Sequence, residues 1–340
     1  MQMGEGVIER TPELGQSGLA RLVPTPAMST DSDTEPDHEP EPTPEQPETE
    51  PPAPADDDGE STPNDRPESA ANPDNEDSSE ETTSAEGVPD EPPASFRATI
   101  HAAHLKTVLS SLRALVDEAR VRVTGDGLTV RAVDSANVAM DDLELEAAAF
   151  EAFEASPGTL GLNLDRLADP VRLASKDDLV QLFLDPESGK LIVVVDGLRY
   201  SMACINSRTI RAEPTLPEFD LPAAVTVDRD ALQRGVKATD LVADHVRLRM
   251  EAGADTLVIE ADGDTDAVTL ELDGDDIDIL SAGDASTLFS LDYCKKLVRT
   301  IPAETPVTLD IGEDFPLILS YELADGDGAI TRMLAPRIET

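Results

Sequence analysis

From about residue 95 to the C-terminus the chain is built from short runs in which apolar and polar residues alternate. VRLRM (246–250) places Val246, Leu248 and Met250 on one face and Arg247 and Arg249 on the other; VTLEL (268–272) and VTLDI (307–311) alternate in the same way. A period of two predicts half-buried strands. Turns rich in Gly and Asp, such as GDG (125–127) and DG at 196–197 and 273–274, separate many of these runs. In four places the period lengthens to that of a helix. HLKTVLSSLRALV (104–116) sets Leu105, Val108, Leu109, Leu112 and Val116 on one face, and similar patterns occupy 164–174, 230–238 and 290–300. Asp228 or Asp230 is placed to cap the third helix. Pro170 falls inside the second pattern, so it must lie in the first turn or shorten that helix.

The patterns occur twice. LVDEARVRV (115–123) parallels LVADHVRLR (241–249), each following a helix, and LTVRAVDSANVAMDDLEL (128–145) parallels TLVIEADGDTDAVTLEL (256–272). Further on, LGLNLDRLADPVRLAS (160–175) parallels LFSLDYCKKLVRTIP (288–302). The prediction is an α+β chain of two repeated domains, 95–205 and 218–340, joined by a connector over 206–217, NSRTIRAEPTLP.

Composition separates what precedes. Residues 1–94 hold 26 Asp and Glu against 3 Arg and no Phe, Trp or Tyr. Such a segment buries too little apolar surface to offset its chain entropy, so a disordered acidic tail is expected there, either a solubilising tether or an interaction arm. Met28 is a candidate alternative start. Of the formal net charge of −45, the block after residue 94 still carries 45 acids against 23 bases. That excess opposes ordinary nucleic-acid affinity, which rests on Lys and Arg neutralising phosphates.

The chemistry-bearing residues are few. Two cysteines, Cys204 and Cys294, make neither a disulfide framework nor a metal site. His38, His101, His104 and His245 form no HExxH, and no P-loop or GxGxxG is present. GDTD (263–266), DGDDID (273–278) and DGDG (325–328) lack the spacing of a calcium loop. No catalytic residue, cofactor or metal is expected. An acidic metal-dependent hydrolase, the rival reading, needs convergent carboxylates and a His ligand that the sequence does not display. No apolar run or leader pattern appears, so a soluble cytoplasmic protein is expected.

DSANVAMDDLEL (134–145), the helix 104–116 and PLILSYELADGDGAITRMLAPRIE (316–339) resemble the PCNA-type DNA sliding clamps, in a form suited to a halophilic archaeon. The resemblance spans 95–340, and DSANV combined with LAPRIE makes it specific. It implies a homotrimeric ring of six similar domains, with helices lining a central channel and a continuous sheet outside. Such a ring encircles double-stranded DNA as a polymerase processivity factor. It also docks replication and repair proteins, among them nucleases and ligases, and a separate ATP-driven clamp loader. A divergent subunit of a hetero-ring is the alternative.

By that resemblance Lys106, Arg113, Arg172, Arg234, Lys237, Lys296 and Arg299 face DNA. Asp169, Asp292 and Thr107 stand where clamps often carry bases, which thins the lining. Val133, Asn137, Met140, Ile210, Leu216, Pro316, Met333, Ala335 and Pro336 form a groove for partner peptides. Tyr200, Met202 and Cys204 on one subunit meet Val268, Leu270 and Leu272 on the next.

Overall fold

The structure, a computed structural model, describes residues 88–338 except 216 and 218. Residues 1–87 of the acidic tail expected over 1–94, and the groove position Leu216, therefore lie outside the described residues.

The first repeat runs β1 (Phe96–His101), α1 (Ala102–Leu112), β2 (Glu118–Val123), β3 (Gly127–Val133), β4 (Ala139–Glu146), β5 (Ala152–Ala155), β6 (Gly158–Asn163), α2 (Leu164–Arg172), β7 (Leu179–Leu184), β8 (Lys190–Val195) and β9 (Leu198–Ala203). The second repeats that order: β10 (Ala223–Asp228), α3 (Arg229–Thr239), β11 (His245–Met250), β12 (Thr256–Asp262), β13 (Ala267–Asp273), β14 (Ile277–Ser281), β15 (Ala285–Ser290), α4 (Leu291–Thr300), β16 (Pro306–Ile311), β17 (Leu317–Leu323) and β18 (Gly328–Leu334). Each repeat builds a five-stranded set, β5-β1-β7-β8-β9 and β14-β10-β16-β17-β18, and a four-stranded set, β4-β3-β2-β6 and β13-β12-β11-β15. The second five-stranded set and the first four-stranded set fuse through β18 and β4 into one nine-stranded sheet.

Local chemistry explains the helix ends. The Asn163 side chain accepts from the Arg166 amide to cap α2, and Asp228, not Asp230, accepts from the Asp230 amide to cap α3. Pro170 sits in the last turn of α2, which ends two residues later, as a missing N–H dictates. The first helix stops at Leu112 rather than Val116, and Leu115 and Val116 pack on the core from a turn instead. The acidic tail also ends sooner than expected: the carbonyls of Pro89 and Glu91 accept from the Thr159 hydroxyl and amide, both at 2.7 Å. Among the described residues no helix is long and apolar enough to cross a membrane.

The join between repeats is a seven-pair antiparallel ladder from Ala139↔Leu334 to Leu145↔Gly328. Next to its central pair, Asp141 and Arg332 face each other directly, both fully buried, with Nε and Oδ1 3.3 Å apart. They meet as charges rather than as an aligned hydrogen bond, since neither carboxylate oxygen has a hydrogen-bond donor. Arg332 also donates through Nη1 to the Leu297 carbonyl at 2.9 Å and the Thr300 hydroxyl at 2.8 Å, at the C-terminus of α4. A cation there complements the helix dipole. Beside it the Tyr321 hydroxyl meets Ser111 of α1 at 3.2 Å. Burial pushes the Asp141 carboxyl up to about 6, and Arg332 pulls it back only in part.

Two outcomes follow for the seam. Arg332→Met leaves a buried carboxylate with no counter-ion and should cost about 3–5 kcal/mol at pH 7 in denaturant unfolding, whereas Asp141→Leu with Arg332→Met should return to within about 1 kcal/mol of wild type or exceed it. The folded value of Asp141 lies above its unfolded value of 3.8, so the carboxyl favours the fold below about pH 4 and loses that contribution as pH rises through 6. The cost of Arg332→Met should therefore shrink as pH falls from 7 to 4; a cost that grows would contradict the assignment.

Candidate functional site

The four helices lie side by side, α2 against α1, α1 against α4 and α4 against α3. Arg332 and Tyr321 of the nine-stranded sheet point toward this helical layer. The outward sides of the helices carry Lys106, Arg166, Arg172, Arg229, Arg234, Lys237, Lys295, Lys296 and Arg299 against Asp165, Asp169, Asp230 and Asp292. In a chain of net charge −45, the helices are thus net positive. Arg113, just past α1, is exposed with Arg172, Arg234, Lys237, Lys296 and Arg299, while Lys106 is half-buried and donates to the Ala174 carbonyl.

Much of this charge is met locally. Arg113 pairs with Asp165 (Nε to Oδ1, 2.7 Å), Arg172 with Asp169 (3.2 Å), Arg234 with Asp276 (3.5 Å) and Lys295 with Asp240 (2.7 Å). Lys237 donates to Gln233 at 3.1 Å, and the Lys296 ammonium sits 5.0 Å from the Tyr293 ring centroid. Arg166 and Lys295 fall at polar positions of the helical patterns without having been singled out, and Arg229 lies one residue before the predicted third pattern, at the first position of α3.

On the opposite face of the sheet the register aligns Val133, Met140, Met333 and Ile318 across β3, β4, β18 and β17. Their neighbours Ala132, Asp141, Arg332 and Leu319 point inward, so strand alternation turns this apolar row away from the helices. Met140 and Ile210 are buried; Val133, Met333, Pro316, Ala335 and Pro336 are half-buried. Ile318 extends the row, and strand pairing rather than sequence spacing reveals it.

Asn137 is exposed at φ 57° in the turn at the row's end. Asp134 organises that turn by accepting from the amides of Ala136, Val138 and Ala139 at 2.7–3.1 Å. The Tyr293 hydroxyl donates to the same carboxylate at 2.6 Å, tying the second repeat to the first. Burial pushes Asp134 up, but these hydrogen bonds outweigh it and hold the carboxyl below its ordinary value. The same bond to Asp134, with burial, drives Tyr293 up to about 12. Arg211 of the connector donates to the Asp134 carbonyl (2.6 Å) and to the Asn137 side chain (2.5 Å). Arg120 holds the Ile210 carbonyl (2.7 Å) and Arg122 holds Glu213 (2.8 Å). The connector is thereby pinned beside the apolar row.

Among the described residues the three sheets end on β5, β9, β14, β6, β13 and β15; two of these edges, β9 of the five-stranded sheet and β13 of the four-stranded sheet, stand in a special relation to the seam. In the repeat they correspond to β18 and β4, the strands that pair within the chain. Met202 and Leu272, expected at the interface, are instead buried at 2% and 0% exposure in their own repeat's core. Tyr200, Cys204 and Leu270 are half-buried and pack on that core, and Val268 lies on the same strand face as Leu270 and Leu272. What the edges offer outward is their backbone, because strand alternation gives one face to the core.

A family model, "Proliferating cell nuclear antigen, N-terminal domain", matches residues 96–206. The DNA polymerase sliding clamp of Natronomonas pharaonis is 46% identical over 245 residues, 72% of this chain and 99% of the relative. That of Halobacterium salinarum is 45% identical, and that of Methanosarcina mazei 42%, over the same shares. Among solved structures, A. fulgidus PCNA with the C-terminal region of FEN-1 bound superposes with a TM-score of 0.67 at 33% identity, covering 72% of this chain and 99% of that one. PCNA from Thermococcus kodakaraensis, at 24% identity and a TM-score of 0.66 over 71% of this chain and 100% of its own, shares the fold. With its doubled α+β repeat and full-length match to these relatives, the chain belongs to the PCNA family of DNA polymerase sliding clamps.

Proposed function

We propose that three copies of this chain close into a ring around duplex DNA, each β9 pairing with the β13 of the next copy. The observation that carries this reading is the internal β18–β4 ladder: β9 and β13 are its repeat-related counterparts, and both are sheet edges with no strand partner on one side. A joint already used once within the chain serves again between chains. Closed symmetry then removes every such edge, and the count of three follows from the family resemblance. The helical layer faces the channel in this assembly and the continuous sheets face out.

The reading explains why so acidic a protein can serve on DNA. Retention depends on encirclement, so the channel needs no tight phosphate contacts. In about 2–3 M salt the Debye length falls to roughly 3 Å or less, and counterion release gains little. A channel whose bases are largely neutralised by Asp165, Asp169, Asp276 and Asp240 suits sliding. The excess of carboxylates elsewhere keeps the chain soluble in a salt-rich cytoplasm.

The apolar row and pinned connector serve as a groove for short partner peptides with apolar anchors. The relative from A. fulgidus holds the C-terminal region of FEN-1. Met140 and Met333, directly opposed across β4 and β18, form a floor adaptable enough for several partners. Polymerase, nuclease, ligase and loader peptides are the expected occupants. The ring acts as processivity factor and platform, with loading driven by a separate ATPase.

Light scattering should give about three times the chain mass in about 2–3 M salt and smaller species in dilute buffer, because unscreened carboxylates repel across the joints. A trimer that is stable in dilute buffer and dissociates in molar KCl would contradict the salt argument, and a monomer at every salt concentration would refute the ring. Met140→Glu with Met333→Glu should abolish binding of a FEN-1 C-terminal peptide, by at least about a hundredfold, while leaving the trimer intact. Unchanged peptide affinity would refute the groove.

A further inference from the structure

The clamp of Natronomonas pharaonis matches this chain over 245 residues, 72% of it, and is itself 99% covered, so 28% of this chain lies outside that match. The last residues of the N-terminal extension, 89–93, are not a loose leader. They cross the open side of β6, the terminal strand of the nine-stranded sheet. The Thr159 amide donates to the Glu91 carbonyl and the Thr159 hydroxyl to the Pro89 carbonyl, each at 2.7 Å. Pro93 is buried against Gly158. Further along β6 the cover passes to Ile205, whose amide donates to the Gly161 carbonyl at 2.8 Å.

The composition of this segment suits an edge cover. Pro89, Pro92 and Pro93 lack an N–H, so the segment can accept from β6 but offers few donors for a further strand. The same prolines narrow the unfolded conformations, which lowers the entropy lost on docking.

The segment also holds the connector. The Ser207 hydroxyl, in the connector's first turn, donates to the Asp90 carbonyl at 2.6 Å and is buried there. Arg208 approaches Glu91 at 3.8 Å. Arg120 lies 4.0 Å from Asp90 while donating to the carbonyl of Ile210 at 2.7 Å. One chain of contacts therefore runs from the extension through Ser207 and Ile210 to Arg211, which holds the Asp134–Asn137 turn at the end of the apolar row.

We propose that residues 89–93 are a strap that positions the connector, so that peptide capture in the groove depends on the extension being seated on β6. The proposal rests on the groove reading for its consequence in binding, but not for its effect on the connector.

Gly158 supplies the test. A Cβ there would sit 2.4 Å from the Pro93 nitrogen, 2.6 Å from its Cα and 2.8 Å from the Glu91 carbonyl oxygen. Its backbone is not in the left-handed region, and the three nearest atoms that the added Cβ would meet all belong to the strap. In the full chain, hydrogen exchange should show the Thr159 amide protected in wild type. Gly158→Ala should lower that protection at least about tenfold, speed exchange across 207–211, and weaken a FEN-1 C-terminal peptide by about three- to tenfold with the trimer unchanged. Ser207→Ala removes one hydrogen bond, and should speed exchange across 207–211 by about fivefold while Thr159 stays protected. An unprotected Thr159 amide in wild type overturns the strap. So does connector exchange that remains at the wild-type rate in both variants. If Met140→Glu with Met333→Glu leaves peptide binding intact, the groove reading fails, and the connector exchange rates still decide the strap.

Discussion

The antiparallel ladder between β4 and β18 is the joint on which the rest of this molecule depends. It turns two similar repeats into one nine-stranded sheet. By fixing register, it puts Asp141 against Arg332 on the helical side and Met140 against Met333 on the other. A slip of one residue would exchange those faces, exposing the ion pair and burying the methionines among the helices. The buried pair thus serves register as much as stability: a misaligned Arg332 would lose both Asp141 and the carbonyl of Leu297 at the end of α4.

The same joint organises function by repetition. Because the repeats share one topology, the bond made by the second repeat's last strand to the first repeat's fourth is the pattern for the proposed bond between chains, from β9 to β13. The side chains expected to mediate it, Met202 and Leu272, belong to the cores, which makes the joint chiefly a backbone one.

How much of this was legible in the sequence varies with the range of the interaction. Period-two and helical patterns, the internal repeat and the cap at Asp228 or Asp230 are local signals, and they anticipated the strands and four helices. The clamp resemblance then supplied the expected helix bases and groove positions. Long-range pairing stayed hidden. Nothing in MDDLEL marks Asp141 as buried, because in sequence it looks like one more carboxylate in an acidic chain, and Arg332 lies far away in the second repeat. Ile318 joins the apolar row only through register. Composition also placed the tail boundary too late: residues 88–94 read like the Pro- and Glu-rich residues before them, yet Gly158 and Thr159 on a distant strand give residues 89–93 a seat.

The central claim is that topology, rather than charge, holds this protein on DNA. It is tested most directly by loading the protein onto circular duplex DNA in about 2–3 M salt, where charge attraction is screened within roughly 3 Å, and then linearising the DNA. The account predicts retention on the closed circle and rapid loss once an end is cut. Equal retention on both forms, or on neither, would contradict it.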